Sequence, residues 1–140
     1  MALGAYFLAR GYSARADIRQ ELRDEQITTS QDASMPGVLV QDAETARAQA
    51  DAIKKHTLGT WGPYTALARD DPRRAQYIDG VALRTALDLS VAGFGVADFA
   101  VAAGIIIVIA GAATSFLAAP ALYLLAGMVI QQQKGSAQDG

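Results

Sequence analysis

From Thr85 to Gln133 the chain carries no lysine or arginine, and its only acids there are Asp88 and Asp98. As a continuous helix at ~1.5 Å per residue, this stretch would reach roughly 73 Å. A bilayer core is only ~30 Å thick and takes about 20 apolar residues per helix. The stretch therefore holds at least one spanning helix and has room for a second. A water-soluble buried helix is the alternative, but a chain of 140 residues has too little other apolar surface to wrap such a segment.

Charge is concentrated elsewhere. Every basic residue except Lys134 lies between Arg10 and Arg84. Lys plus Arg is 12 against 14 for Asp plus Glu, a formal net charge of -2. That balance argues against a nucleic-acid partner, which calls for a basic excess. The absence of cysteine excludes a disulfide, a thiolate nucleophile and a Cys-ligated metal. The length fits one domain.

The first span reads as residues 85–113, around the run Ile105-Ile106-Ile107-Val108-Ile109. Residues 114–133 read as a second, short apolar helix. Gly111 to Ser115 would form a tight hairpin, with Ser115 capping the new helix and Pro120 in its first turns. One bent helix is the alternative. Residues 134–140 are a polar tail. Residues 1–10 form a partial apolar segment, too short for a bilayer or a signal-peptide core. It either dips into the membrane or is the end of a longer span marked by Tyr6 and Arg10.

The polar region, residues 11–84, reads as mostly helical. Over Ser13 to Gln26, Arg15, Arg19 and Arg23 form one stripe and Asp17, Glu21, Asp24 and Glu25 the opposite one, with Ile18 and Leu22 between. That helix is a solvated stalk, or contacts a partner or lipid headgroups along one side. Ile27-Thr28-Thr29 and Val38-Leu39-Val40 are β-prone runs around a turn, a ribbon needing helical support. Asp42 is an N-cap for a helix over 43–57, stopped by Leu58-Gly59. Trp61 and Tyr64 fit either a membrane boundary or a small core. Asp71-Pro72 reads as N-cap and first residue of a third helix that continues into the span. Arg73, Arg74 and Arg84 would lie beside headgroup phosphates, and Arg84 would pair with Asp88 four residues on.

Asp98 falls near the middle of the 85–113 span. A charge there costs several kcal/mol, so the group is protonated or paired. It is either a proton relay or cation site, or an acid hydrogen-bonded to a neighbouring helix. No basic residue of this chain lies at that depth, so a cationic partner would come from another chain. Gly93, Ala97, Ala100 and Gly104 fit the small-xxx-small pattern of close helix packing and point to a partner helix. The string Gly93 to Asp98 follows no strand, which excludes a dinucleotide loop. His56 stands alone, so a zinc site is implausible. No cofactor or catalytic constellation is visible.

One resemblance adds to this. Glu25 to Ala33, Ala50 to Leu58, Gly62 to Thr65, Asp71 to Arg74, Ala82 to Leu87 and Val91 to Ala97 occur in the order seen in a family of small actinobacterial membrane proteins, which the chain resembles from about residue 8 to 113. Members are often labelled aromatic ring-opening dioxygenase subunits. A non-haem iron site needs convergent His and carboxylate ligands, which one histidine cannot supply. The resemblance implies two spans flanking a loop outside the cytoplasm. The basic residues of 11–84 point to the cytoplasm instead, but a loop of that length exceeds the ~60 residues over which the rule holds. We take the extracytoplasmic placement. The expectation is an all-α integral protein of the cell membrane. It is a non-catalytic accessory subunit contacting lipids and other transmembrane helices, as a hetero- or homo-oligomer. A proton- or cation-handling component using Asp98, or a lipid-headgroup binder, is the alternative.

Overall fold

The computed structural model describes residues 2–136, with side-chain surroundings through residue 130. Three helices dominate: α1 (Ala2–Asp24), α2 (Ala43–Lys54) and α3 (Arg73–Ser136). At ~1.5 Å per residue the 64-residue α3 is roughly 96 Å long. It is the axis of the molecule, and it includes a stretch long and apolar enough to cross a membrane. Among the described residues there are no strands beyond one isolated bridge.

The apolar residues 2–9 do not form a separate piece. They are the first turns of α1, which runs on through Ser13 without a break because nothing from Ala9 to Ala16 stops a helix. α1 lies antiparallel to α3: Gly4 sits against Gly104 and Val108, and Gly11 against Ala97 and Val101. α1 ends at a left-handed Gln26 (φ 52), whose N–H donates to the Arg23 carbonyl at 3.1 Å.

The hairpin expected at Gly111 to Ser115 is absent, and α3 passes straight through it. The Thr114 and Ser115 hydroxyls donate to the carbonyls of Ala110 and Gly111, four residues back, at 2.9 and 2.8 Å. Ser115 therefore reinforces the helix instead of capping a new one. Pro120 sits inside α3, a place membrane helices tolerate. The helix also continues into the expected polar tail as far as Ser136; the rest of that tail lies outside the described residues.

A head is built on the N-terminal half of α3. Thr28 bridges Leu39 antiparallel, with Thr29 N–H donating to the Val38 carbonyl and Val40 N–H to the Ile27 carbonyl, both at 2.8 Å. The support that this ribbon needs comes from α2. Val40 is wholly buried beside Ala46, Ala50 and Ile53, and the Gln49 side-chain oxygen accepts from Ser30 N–H at 2.8 Å. α2 opens on a reciprocal cap. Asp42 accepts from Thr45 N–H at 2.9 Å, and Thr45 Oγ accepts from Asp42 N–H at 3.2 Å. Its end is not at Gly59: a π-turn over Lys55–Gly59 carries the chain to Gly62, whose φ of 72 breaks the helix. Leu22 of α1 and Leu87 and Phe94 of α3 complete the core. The stretch of α3 from Leu87 to Phe94, expected inside the bilayer, is thus partly head core.

Trp61 and Tyr64 also belong to the head. Their rings lie 6.2 and 5.6 Å from that of buried Tyr77, whose hydroxyl donates to the Gly62 carbonyl at 3.1 Å. The Arg74 guanidinium caps Tyr64 at 4.1 Å and donates to the Leu67 carbonyl at 2.8 Å. This cluster holds the 60–72 segment against the start of α3.

Three carboxylates of the head titrate below their ordinary value of 3.8. Asp71 is lowered to about 2, chiefly by the Arg73 guanidinium donating to it. Asp42 is lowered by the Thr45 N–H. Asp32 is lowered by hydrogen bonds from His56 and Lys55. As pH falls the unfolded chain takes up these protons first. The stability they contribute is therefore present above about pH 4 and lost as pH drops toward ~2. Trp61 fluorescence during acid titration should show loss of structure in that window, and Asp71→Asn should flatten it. Asp42→Ala should cost about 1 kcal/mol by removing the cap, measured by urea unfolding of the head in detergent.

Candidate functional site

The seam between α1 and α3 gathers the chain's unusual residues. Where two helix backbones are to approach closely, side chains at the crossing must vanish, and glycine supplies that. A Cβ added at Gly11 would meet the Ala97 carbonyl oxygen at 2.9 Å and Val101 Cγ2 at 2.7 Å. One added at Gly104 would meet the Gly4 carbonyl oxygen at 2.8 Å and Leu8 at the same distance. Two of these obstacles are backbone, which cannot swing away. Gly4 and Gly11 are seven residues apart on α1, and Ala97 and Gly104 seven apart on α3, so the pairs match when the helices run antiparallel.

Of the four small residues singled out in α3, the structure brings three directly to this seam. Ala97 is buried against Gly11, Gly104 against Gly4 and Leu8, and Gly93 meets Ile18. Ala100 is half-buried and lines an open groove between the same helices. The partner helix that these residues pointed to is supplied by the chain itself. Gly4 and Gly11 were missed, although their spacing repeats that of Ala97 and Gly104.

Register then decides the electrostatics. Arg15 Nη1 donates to Asp98 Oδ1 at 3.0 Å. Asp98 thus has a cation from its own chain, contrary to the expectation that one had to come from elsewhere. The span contains no base at that level, but the antiparallel neighbour does. Both side chains are about half exposed, so the pair contributes little stability, ~0–1 kcal/mol. Arg10 lines the same groove as Ala100, a second cation near this height. The rest of the basic stripe is engaged as well. Arg19 donates to the Gln41 carbonyl at 3.3 Å and Arg23 to the Gln41 side chain at 2.7 and 2.9 Å. The stripe faces the chain's own ribbon, which places α1 beside the head and not as a free stalk.

The remaining candidates lie elsewhere. Arg73 and Arg74 start α3, about 25 residues before Asp98 and therefore roughly 37 Å along the axis. Arg73 is held by Asp71 at 2.6 Å and Arg74 by Tyr64 and Leu67. Arg84 lines a notch with Ala50, Asp51, Lys54, Leu58 and Asp88, and no ion pair joins it to Asp88. His56 Nε2 donates to the Asp32 carboxylate at 2.8 Å, tying the ribbon loop to the π-turn together with Lys55. Among the described residues no three His, Asp or Glu side chains converge as metal ligands would.

Widening the seam should separate the helices. Gly11→Val is expected to destabilise the α1–α3 pair by about 1–3 kcal/mol. Gly95→Ala, where a Cβ meets nothing within 4 Å, should leave it unchanged. Thermal unfolding in detergent followed by circular dichroism compares the two. Searches against protein-family models, curated proteins and solved structures gave no match for this chain.

Proposed function

We propose that this chain is a membrane-anchored, non-catalytic accessory subunit whose head stands at the bilayer surface and whose long helix enters the lipid beyond the Arg15–Asp98 pair. The observation that carries this reading is the contrast on either side of that pair. Before it, α3 is wrapped by α1, α2 and the ribbon, and charges surround it. After it, residues 99–130 carry no charge, and side chains such as Phe116, Leu117 and Tyr123 are at least three-quarters exposed. Those residues make roughly 48 Å of helix, more than a ~30 Å bilayer core requires.

An ion pair with half-exposed members belongs at the water boundary, not in the middle of a hydrocarbon layer. The span therefore moves toward the C-terminus from residues 85–113 to within 99–130. Residues 2–9 accompany it to about the level of Val108. Asp98 lies in a half-exposed ion pair with Arg15 and not alone in the hydrocarbon, which weighs against a buried proton or cation site. Arg73, paired with Asp71, and Arg74, stacked on Tyr64, lie roughly 37 Å along the axis from the Arg15–Asp98 pair, which weighs against headgroup binding at the boundary. What remains is a scaffold with bare helix faces, and such faces suit packing against other helices of a complex.

Charge scanning separates the two placements of the span. Leu117→Lys should impair membrane insertion, at a cost of about 2.5–3.5 kcal/mol near the bilayer centre. Leu89→Lys should leave the chain in the carbonate-washed membrane fraction. The opposite pattern would restore residues 85–113 as the span. Recovery of the unaltered chain in the detergent-free supernatant would end the membrane reading altogether.

A further inference from the structure

α3 carries two apolar seams with heptad spacing. The first, through Leu87, Phe94, Ala97, Val101 and Gly104, is the one that α1 and the head fill. The second is the first displaced by two residues, about 160° round the helix. It runs through Ile78, Leu89, Val96, Phe99 and Ile106, which are 53%, 72%, 70%, 76% and 66% exposed. The 3-4 spacing holds, and the intervening seam positions Ala82, Thr85, Ala92 and Ala103 are small and uncharged. An apolar repeat kept at 3.5 residues over this length is the pattern of a helix that supercoils with another.

From this we infer that α3 pairs in parallel with α3 of a second copy of this chain, along the Ile78–Ile106 stripe. The inference rests on the membrane reading, because anchoring from one side holds two copies at equal height and makes parallel the only workable direction. Identical stripes then meet in register. The flanking charges agree with this arrangement. With Ala82, Leu89 and Val96 at a and Thr85, Ala92 and Phe99 at d, Arg74 falls at g and Asp79 at the e position five residues on. In a parallel pair those two positions face across the interface, so Asp79 of each copy comes within reach of the Arg74 donors of the other that the Leu67 carbonyl does not use, twice by symmetry. Asp79 is exposed and has no ion pair among the described residues. The next flanking combinations, Val81 with Ala86, Asp88 with Gly93 and Gly95 with Ala100, bring no like charges together.

Lipid would satisfy the part of the stripe beyond Phe99. It would not cover Ile78, Leu89 and Val96, which lie on the water side of the Arg15–Asp98 pair. A single contiguous apolar stripe crossing that boundary needs one occupant that crosses it too, and α3 of another copy has the matching pattern. The open groove of about 760 Å³ between α1 and α3, walled by Leu89 and Val96, adjoins the stripe and gives the partner's larger side chains room.

The chain has no cysteine, so single replacements report on this contact without background. Full-length Leu89→Cys, Val96→Cys, Phe99→Cys and Ile106→Cys are oxidised in native membranes and run on non-reducing gels, with Ile105→Cys as the off-stripe control. The expected result is a band of twice the chain mass, several-fold stronger at the four stripe positions than at Ile105→Cys. Asp79→Lys should lower the yield of Ile78→Cys several-fold, and Asp79→Glu should restore it. Equal yields on and off the stripe, no band, or adducts only of some other mass would each overturn the homodimer. Fractionation keeps the two readings apart. A membrane-bound chain without cross-links refutes the pairing alone, while periodic cross-links in a soluble chain support the pairing and refute the anchor.

Discussion

The close approach of α1 and α3 at Gly4, Gly11, Ala97 and Gly104 fixes the rest of the molecule. Backbone carbonyls stand within 2.9 Å of where a Cβ on Gly11 or Gly104 would lie, so this close approach is available only where glycines fall at the crossing. Register then has consequences along the whole length. It sets Arg15 beside Asp98, brings Leu22 to Leu87 in the head core, and lets Arg19 and Arg23 reach Gln41. None of these contacts is strong alone. The exposed ion pair is worth at most about 1 kcal/mol. Their value is positional: together they define where the wrapped half of α3 ends and the bare half begins.

Much of the local structure was legible in the sequence because local chemistry decides it. Asp42 ahead of an alanine-rich run reads directly as a helix start, and Asp71-Pro72 as another. The two β-prone runs around a Pro-Gly turn give the ribbon. The turn at Gly111 to Ser115 misled because Ser and Thr have two local uses. They cap a new helix, or they bond back to the carbonyl four residues earlier, and the surrounding alanine-rich sequence favours continuation. Gly59 misled in the same way, since only Gly62 adopts the left-handed backbone that ends the helix.

The relation of α1 to α3 was not legible by the same route, because Arg15 and Asp98 are separated by 83 positions. No window of local propensity spans that gap. A cue was nevertheless present: Gly4 and Gly11 are spaced as Ala97 and Gly104 are. Two small-residue pairs of equal spacing on different helices are a signature of mutual packing. Taking the α3 pair alone pointed to a foreign helix. Taking Asp98 without its antiparallel neighbour left it unpaired in the middle of the expected span.

A helix that buries one heptad seam and leaves a second bare is an incomplete object. Within the head, α2 and the ribbon cover the side of α3 near Leu87 and Phe94, and α1 covers the glycine seam. The face bearing Leu89 and Val96 has no remaining element of the described chain to cover it. For residues past Phe99 that is unremarked in lipid, since hydrocarbon solvates leucine as well as another helix does. For residues before Asp98 it is costly in water at roughly 25 cal/mol per Å² of apolar surface. The same charged pair that we propose as the membrane boundary thus divides one continuous stripe into a half that lipid would satisfy and a half that it would not. Association through the upper half extends naturally into the lower, where close packing and not hydrophobic driving force takes over. A partner helix able to follow α3 across that boundary has to change its source of affinity at the same height. A copy of α3 does so by construction.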